Sequence, residues 1–83
     1  MIKPQPRRKQ MKFYIERRRV KDDALMDYYG SYSHGAKMED VKPFETLEKA
    51  METANTLQRG TGSFNGVYFY GYNVVDENGK FII

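Results

Sequence analysis

The sequence predicts an α+β fold: one helix packed on one face of a three- or four-stranded antiparallel sheet. Three observations point to it. Leu47, Ala50, Met51, Ala54 and Leu57 recur at helical spacing. Phe13 and Ile15 alternate with Lys12, Tyr14 and Glu16 at the two-residue period of a strand. Asp76-Glu77-Asn78-Gly79 is hairpin-turn chemistry between two apolar stretches. A chain of 83 residues has room for one small core and no second domain.

Residues 1–10 carry Pro4, Pro6 and the charges Arg7, Arg8 and Lys9, so they read as a disordered basic tail. No apolar stretch follows this basic start, which therefore does not read as a secretory signal. Residues 11–83 are expected to form the single α+β domain. A first strand is placed at about 12–20, and Arg17-Arg18-Arg19 at its far end put positive charge on both faces of the sheet edge. Residues 21–43 are harder to read. Ala24-Leu25-Met26 after Asp22-Asp23 suit one helical turn, while Gly30, Ser31, Ser33 and Gly35 oppose anything longer. The stretch holds Tyr28, Tyr29 and Tyr32, so it is either a functional loop or the cover of one sheet face.

The helix is expected over residues 46–59. Thr46 is suited to the N-cap, Glu48 favours the positive helix start, and Gly60 is placed just past the end. Its polar side is acidic, which anionic lipid would repel, so the apolar stripe reads as core. Residues 60–66 read as a flexible glycine loop. A phosphate cradle must open a helix, and this loop follows one.

Residues 67–75 and 80–83 read as a hairpin, with Gly79 at positive φ, Val75 opposite Phe81 and Val74 opposite Ile82. Alternation then places Val67, Phe69, Val75, Phe81 and Ile83 on one face and Tyr68, Tyr70, Tyr72, Val74 and Ile82 on the other. The first face is assigned to the helix, together with Phe13 and Ile15. Gly71 would let the helix approach closely.

The absence of cysteine excludes a disulfide scaffold, a cysteine nucleophile and a cysteine-based zinc site. No apolar run approaches the roughly 18 residues that cross a bilayer, so no membrane partner is expected. His34, the one histidine, is expected to be solvent-exposed. Its neighbour Ser33 does not make a nucleophile–base pair, which must meet in space around a third group. Asp22, Asp23, Asp27, Glu39 and Asp40 lack EF-hand spacing and read as solvated charge. No catalytic residue, metal or cofactor is therefore expected, and the protein reads as no enzyme.

Charge and tyrosine point instead to binding. Residues 1–21 hold nine basic side chains and one acid, and residues 22–83 hold five basic and ten acidic. That asymmetry steers toward an anionic partner. If the helix covers the other face, Tyr68, Tyr70, Tyr72 and Tyr14 lie open beside Lys12 and Arg18, a composition suited to contact. The expected partner-binding residues are Tyr68, Tyr70, Tyr72, Tyr14, Arg17, Arg18 and Arg19, with Tyr28, Tyr29 and Tyr32 from the following loop. The competing assignment turns the tyrosines inward against residues 21–43.

The string Gly66-Val67-Tyr68-Phe69-Tyr70-Gly71-Tyr72 resembles the aromatic strand of an RNA-recognition motif. It lacks the basic residue before the first glycine, and the chain lacks the second helix. A broader resemblance covers most of residues 11–83. The Met11-Lys12 opening strand with Tyr14-Ile15, the long polar link, the Thr46-Leu47-Glu48-Lys49-Ala50 helix start and the hairpin through Asn78-Gly79 resemble small single-helix, antiparallel-sheet proteins of phages and mobile elements, among them anti-CRISPR proteins. The basic tail and the tyrosines at 28–32 depart from that pattern. The resemblance implies an inhibitor that occupies a host protein or protein–nucleic-acid complex in the host cytoplasm. Direct binding of nucleic acid through a Tyr/Arg sheet face is the alternative, and an uncovered tyrosine face would also serve a homodimer.

Overall fold

The computed structural model describes residues 11–82. The basic tail and Ile83 lie outside the described residues. The chain forms β1 (Phe13–Arg19), β2 (Ala24–Gly30), β3 (Ser33–Gly35), a 3-10 turn (Met38–Asp40), α1 (Leu47–Gly60), β4 (Ser63–Phe64), β5 (Val67–Tyr68) and β6 (Tyr70–Asp76). Four strands make one antiparallel sheet in the order β3-β2-β1-β6, and β4 and β5 make a separate two-stranded one. The α+β class is as the sequence predicted.

β1 is central because both its neighbours pair along it. Ile15 lies opposite Tyr29 on β2 and Val74 on β6. The β1–β2 register skips Met26 between the Arg17–Asp27 and Arg18–Leu25 pairs, a bulge that lets β2 twist across β1. α1 packs over β6 and β1. Thr46 caps it, its Oγ1 accepting from the Lys49 N–H at 3.2 Å. Ala50 and Ala54 are the buried points of the stripe, and their small side chains seat α1 against Phe13, Ile15, Phe44 and Val74. Leu47, Leu57, Tyr29, Tyr72 and Ile82 border this core. Gly60 is the last helical residue, not a left-handed cap beyond the end.

The opposite sheet face has its own cover. After β3 the chain turns back and lays Met38 and Val41 against Tyr14, Tyr28 and Val75. Phe44 then bridges to Phe13 (Phe13 N–H to Phe44 O, 3.3 Å; Phe44 N–H to Phe13 O, 2.8 Å) and leads into α1. Residues 21–43 are thus a hairpin and a cover segment, and Ala24-Leu25-Met26 are strand, not a helical turn.

The C-terminal hairpin has the expected register. Val75 bridges Phe81, Ile82 N–H donates to Val74 O at 2.9 Å, and Gly79 has φ 78°. The face assignment is reversed. Tyr72, Val74 and Ile82 go to the helix, while Val67, Phe69 and Phe81 are exposed and Val75 joins Tyr14 on the other side. Two features cause the reversal. Gly71 and Asn73 share the Val75 parity and cannot fill a core at the strand centre. The strand also breaks at Phe69, whose N–H donates to Gly62 O (3.0 Å) and whose carbonyl accepts from Val20 N–H (2.9 Å). Gly71 faces open space, so no helix approaches it.

The outer edge of β6 is closed by a side chain. Gln58 on α1 donates from Nε2 to the Tyr70 carbonyl (2.9 Å) and accepts at Oε1 from the Tyr72 N–H (3.0 Å). Its amide thereby occupies the place of a neighbouring strand.

Candidate functional site

The helix-side face of the sheet is longer than its cover. α1 lies over β6 and β1, and beyond its stripe six side chains from all four strands interlock. On β1, Arg17 reaches across to Asp27 on β2 in a two-pronged pair (Nε to Oδ1 2.8 Å, Nη2 to Oδ2 2.7 Å). His34 on β3 meets the same carboxylate, Nε2 to Oδ2 at 2.7 Å. An ionised carboxylate only accepts, so in this pair Nε2 is the donor. The His34 ring stacks on Tyr29 (centroids 4.3 Å apart, planes 17°), and Tyr29 meets Tyr72 edge-on (5.8 Å, 63°). On the other side, the Arg17 guanidinium sits 4.6 Å from the centre of the Tyr70 ring.

Burial works against the charge on Arg17. The hydrogen bond and charge of Asp27 overcome it, and the guanidinium titrates above its ordinary range. Burial also raises the Tyr29 phenol, against the pull of Arg17. The result is a rigid patch of aromatic edges around a satisfied ion pair.

The ten residues expected to bind a partner separate into groups. Arg17, Tyr29, Tyr70 and Tyr72 meet in this patch. Tyr14 is buried and Tyr28 half-buried on the opposite face beneath Met38 and Val41, so they cannot join an open tyrosine surface. Tyr68 is exposed on β5, outside the four-stranded sheet. Tyr32 stands in the β2–β3 turn at φ 58°, 98% exposed. A bulky residue in the left-handed region carries strain, and this ring gains no packing in return.

The arginines do not form a free cationic cluster. Arg18 donates from Nε to Glu16 Oε1 (2.7 Å) on the face away from the helix, where Glu16 is only 2% exposed and also receives Asn73 Nδ2 (3.4 Å). Arg19 forks onto Asp22 (2.9 and 2.7 Å) in the β1–β2 turn. The hydrogen bond to Glu16 raises Arg18, that to Asp22 raises Arg19, and Arg19 holds the Asp22 carboxyl down at about 2. Residues 11–82 carry ten basic and eleven acidic side chains, a net −1, so the positive excess belongs to the four basic side chains of residues 1–10.

Sequence reasoning missed Asp27 and the contact of His34, which is exposed as expected but tied to Asp27. It also missed a second surface. β4 and β5 form a hairpin over Asn65-Gly66, both at positive φ (53° and 79°), where a flexible loop was expected. Phe64, Val67 and Phe69 are exposed on it, and with Val20 and Tyr70 they line a cleft of about 750 Å³. An Asn-Gly pair between apolar residues was the available signal.

Among the described residues, no helix is long and apolar enough to cross a membrane, and no cluster of three metal-ligating side chains occurs. Comparison of the chain with family models, curated proteins and solved structures finds no match.

Proposed function

We propose that this chain is a non-enzymatic binding protein that occupies a surface of a host protein or protein–nucleic-acid complex, acting as a phage-type inhibitor in the host cytoplasm. The observation that carries the proposal is the locked patch of Tyr70, Arg17, Tyr72, Tyr29 and His34. Aromatic rings held by an ion pair lose little freedom on contact, which is what a hot spot needs. The same geometry speaks against general-base chemistry. Both oxygens of Asp27 are already engaged by Arg17 and His34. Tyr32 fits the same purpose, since its strained, bare ring has no structural use.

Direct nucleic-acid binding is disfavoured by the internal pairing of Arg17, Arg18 and Arg19, although four basic side chains remain in residues 1–10. The test is capture from host lysate by the full chain, with and without nuclease, beside Tyr70→Ala and Tyr32→Ala. Nuclease-resistant capture that both variants lose, with unchanged circular dichroism, is the expected result. Capture abolished by nuclease, together with binding to naked nucleic acid that collapses as salt rises, would favour the alternative.

A further inference from the structure

From the cleft between the β4–β5 hairpin and the end of β1 we infer that this chain receives an extended apolar segment of its partner that carries carboxylates at one end. This rests on the binding function proposed above, because Tyr70 belongs both to the locked patch and to the cleft. The cleft volume of about 750 Å³ lies within the range of ligand sites. Phe64, Val67 and Phe69 line it and are 68%, 57% and 53% exposed. Such side chains bind by shedding water, so the occupant must be apolar where it meets them.

Charge says what the segment must carry. The charged residues of the lining are Arg19 and Lys21, and no carboxylate lines the cleft among the described residues. Arg19 is committed to Asp22 through Nε and Nη2. Lys21 is exposed and makes no ion pair among the described residues, so its charge is the one left to be matched. Apart from residues 19–21, the lining comes from the stretch Gly60 to Val75, which contains no Lys, Arg, Asp or Glu. Cations at one margin of an otherwise neutral apolar wall complement a segment that is apolar along its length and acidic at one end.

The backbone says that the segment is extended. Phe69 N–H donates to Gly62 O at 3.0 Å, so Gly62 and Phe69 are a hydrogen-bonded pair of the hairpin. Alternation along an antiparallel ladder makes the next pair, Ser63 and Tyr68, a non-hydrogen-bonded one, whose main-chain groups point away from each other. Tyr68 thus presents an N–H and a C=O on the side of β5 away from β4, and Tyr68, unlike Ser63, lines the cleft. A strand laid along β5 gains main-chain hydrogen bonds there, with its apolar side chains in the cleft. A small amphiphilic acid would leave those groups to water.

The test is an amide chemical-shift titration of the full chain by NMR. The probe is a short peptide of valine and threonine ending in glutamates, blocked at both termini, beside the same peptide with lysine for glutamate. The acidic peptide should move the amides of Lys21, Tyr68 and Phe69 with a Kd at or below about 1 mM, and the lysine peptide should not. Lys21→Glu should weaken the acidic peptide at least about tenfold and let the lysine peptide bind, with an unchanged melting curve. Phe64→Ala should weaken the acidic peptide without reversing the preference. No shift at Tyr68, equal binding of the two peptides, or a preference that Lys21→Glu leaves as it was overturns the inference. So does decanoate moving these amides where the acidic peptide does not, which would give the cleft to a small amphiphile. Host capture is scored separately. Capture that Tyr70→Ala removes, and that Lys21→Glu and Phe64→Ala both leave intact, refutes the cleft and keeps the binding function. Peptide binding without host capture overturns the host reading and leaves the chemistry of the cleft standing.

Discussion

The β2–β3 and β4–β5 hairpins are both closed by two-residue turns and both rich in aromatic residues, yet they meet opposite fates. β2 is laid along β1, so Tyr28 and Tyr29 point to opposite faces and each finds cover. Among the described residues β4 and β5 have no third strand, and Phe64 and Val67 are exposed. Aromatic content does not decide burial in this molecule; being paired to β1 does. Phe69 is where the chain leaves one regime for the other, giving its carbonyl to Val20 and its N–H to Gly62.

The contrast is broken first at the glycines. A methyl group on Gly30 would run into the Lys42 carbonyl oxygen, whereas one on Gly66 meets nothing and suffers only the left-handed backbone. Gly30→Ala should cost about 3 kcal/mol or more in urea unfolding, and Gly66→Ala about 1 kcal/mol.

Charge pairs should divide in the same way. Arg18→Ala leaves Glu16 buried with only Asn73 beside it, and should cost about 3 kcal/mol. Adding Glu16→Gln should recover part of that loss. Arg19→Ala, at the exposed turn, should leave the unfolding midpoint almost unchanged. Equal losses in the two would show that burial of Glu16 is not what distinguishes them.

Among aromatics, Tyr72→Ala should lower stability by about 2–3 kcal/mol, while Phe69→Ala stays within about 0.5–1 kcal/mol. The reverse order in thermal melts would mean that the hairpin, not β6, carries the core. Tyr32→Gly relieves a left-handed tyrosine, so stability should hold or rise by up to about 1 kcal/mol.

The smallest effect is a titration. Asp22 is held down to about 2 by Arg19. Its folded value is below its unfolded one, so the pair's contribution is present above about 3.9 and is lost as pH falls through the folded value. NMR should show a carboxyl midpoint at about 2 that rises in Arg19→Ala, partway toward 3.8 because the Ala24 N–H still donates to the carboxylate.

Part of this was legible in the residues. The helix, β1 and the Asp76–Lys80 turn rest on local patterns, and all three stand. Residues 24–35 were hidden because Gly30, Ser31, Ser33 and Gly35 read as loop, although the glycine at 30 marks a close approach of the chain near Lys42. The faces of 67–75 are inverted when the stretch is read as one strand. Both parities carry aromatic residues, and only Gly71 and Asn73 betray which one faces away. The partners of the arginines required a register. Arg17 and Asp27 meet across two strands, and the Met26 bulge beyond them follows no sequence period. Glu16 and Arg18, two apart on one strand face, could have been paired from the sequence alone.

The Gln58 amide has a consequence outside the folded monomer. The Tyr70 carbonyl and Tyr72 amide that it occupies lie in a stretch, 67–75, without charge or proline, with one glycine, and rich in tyrosine, phenylalanine and valine. Such segments, once their main-chain groups are vacant, stack strand on strand into fibrils. Residues 80–82 pair with the Val74–Asp76 end of this edge, and the Gln58 amide closes the Tyr70–Tyr72 end that they leave open. Gln58→Ala is a change whose penalty would be read in turbidity and dye-binding fibres long before it is read in a melting curve.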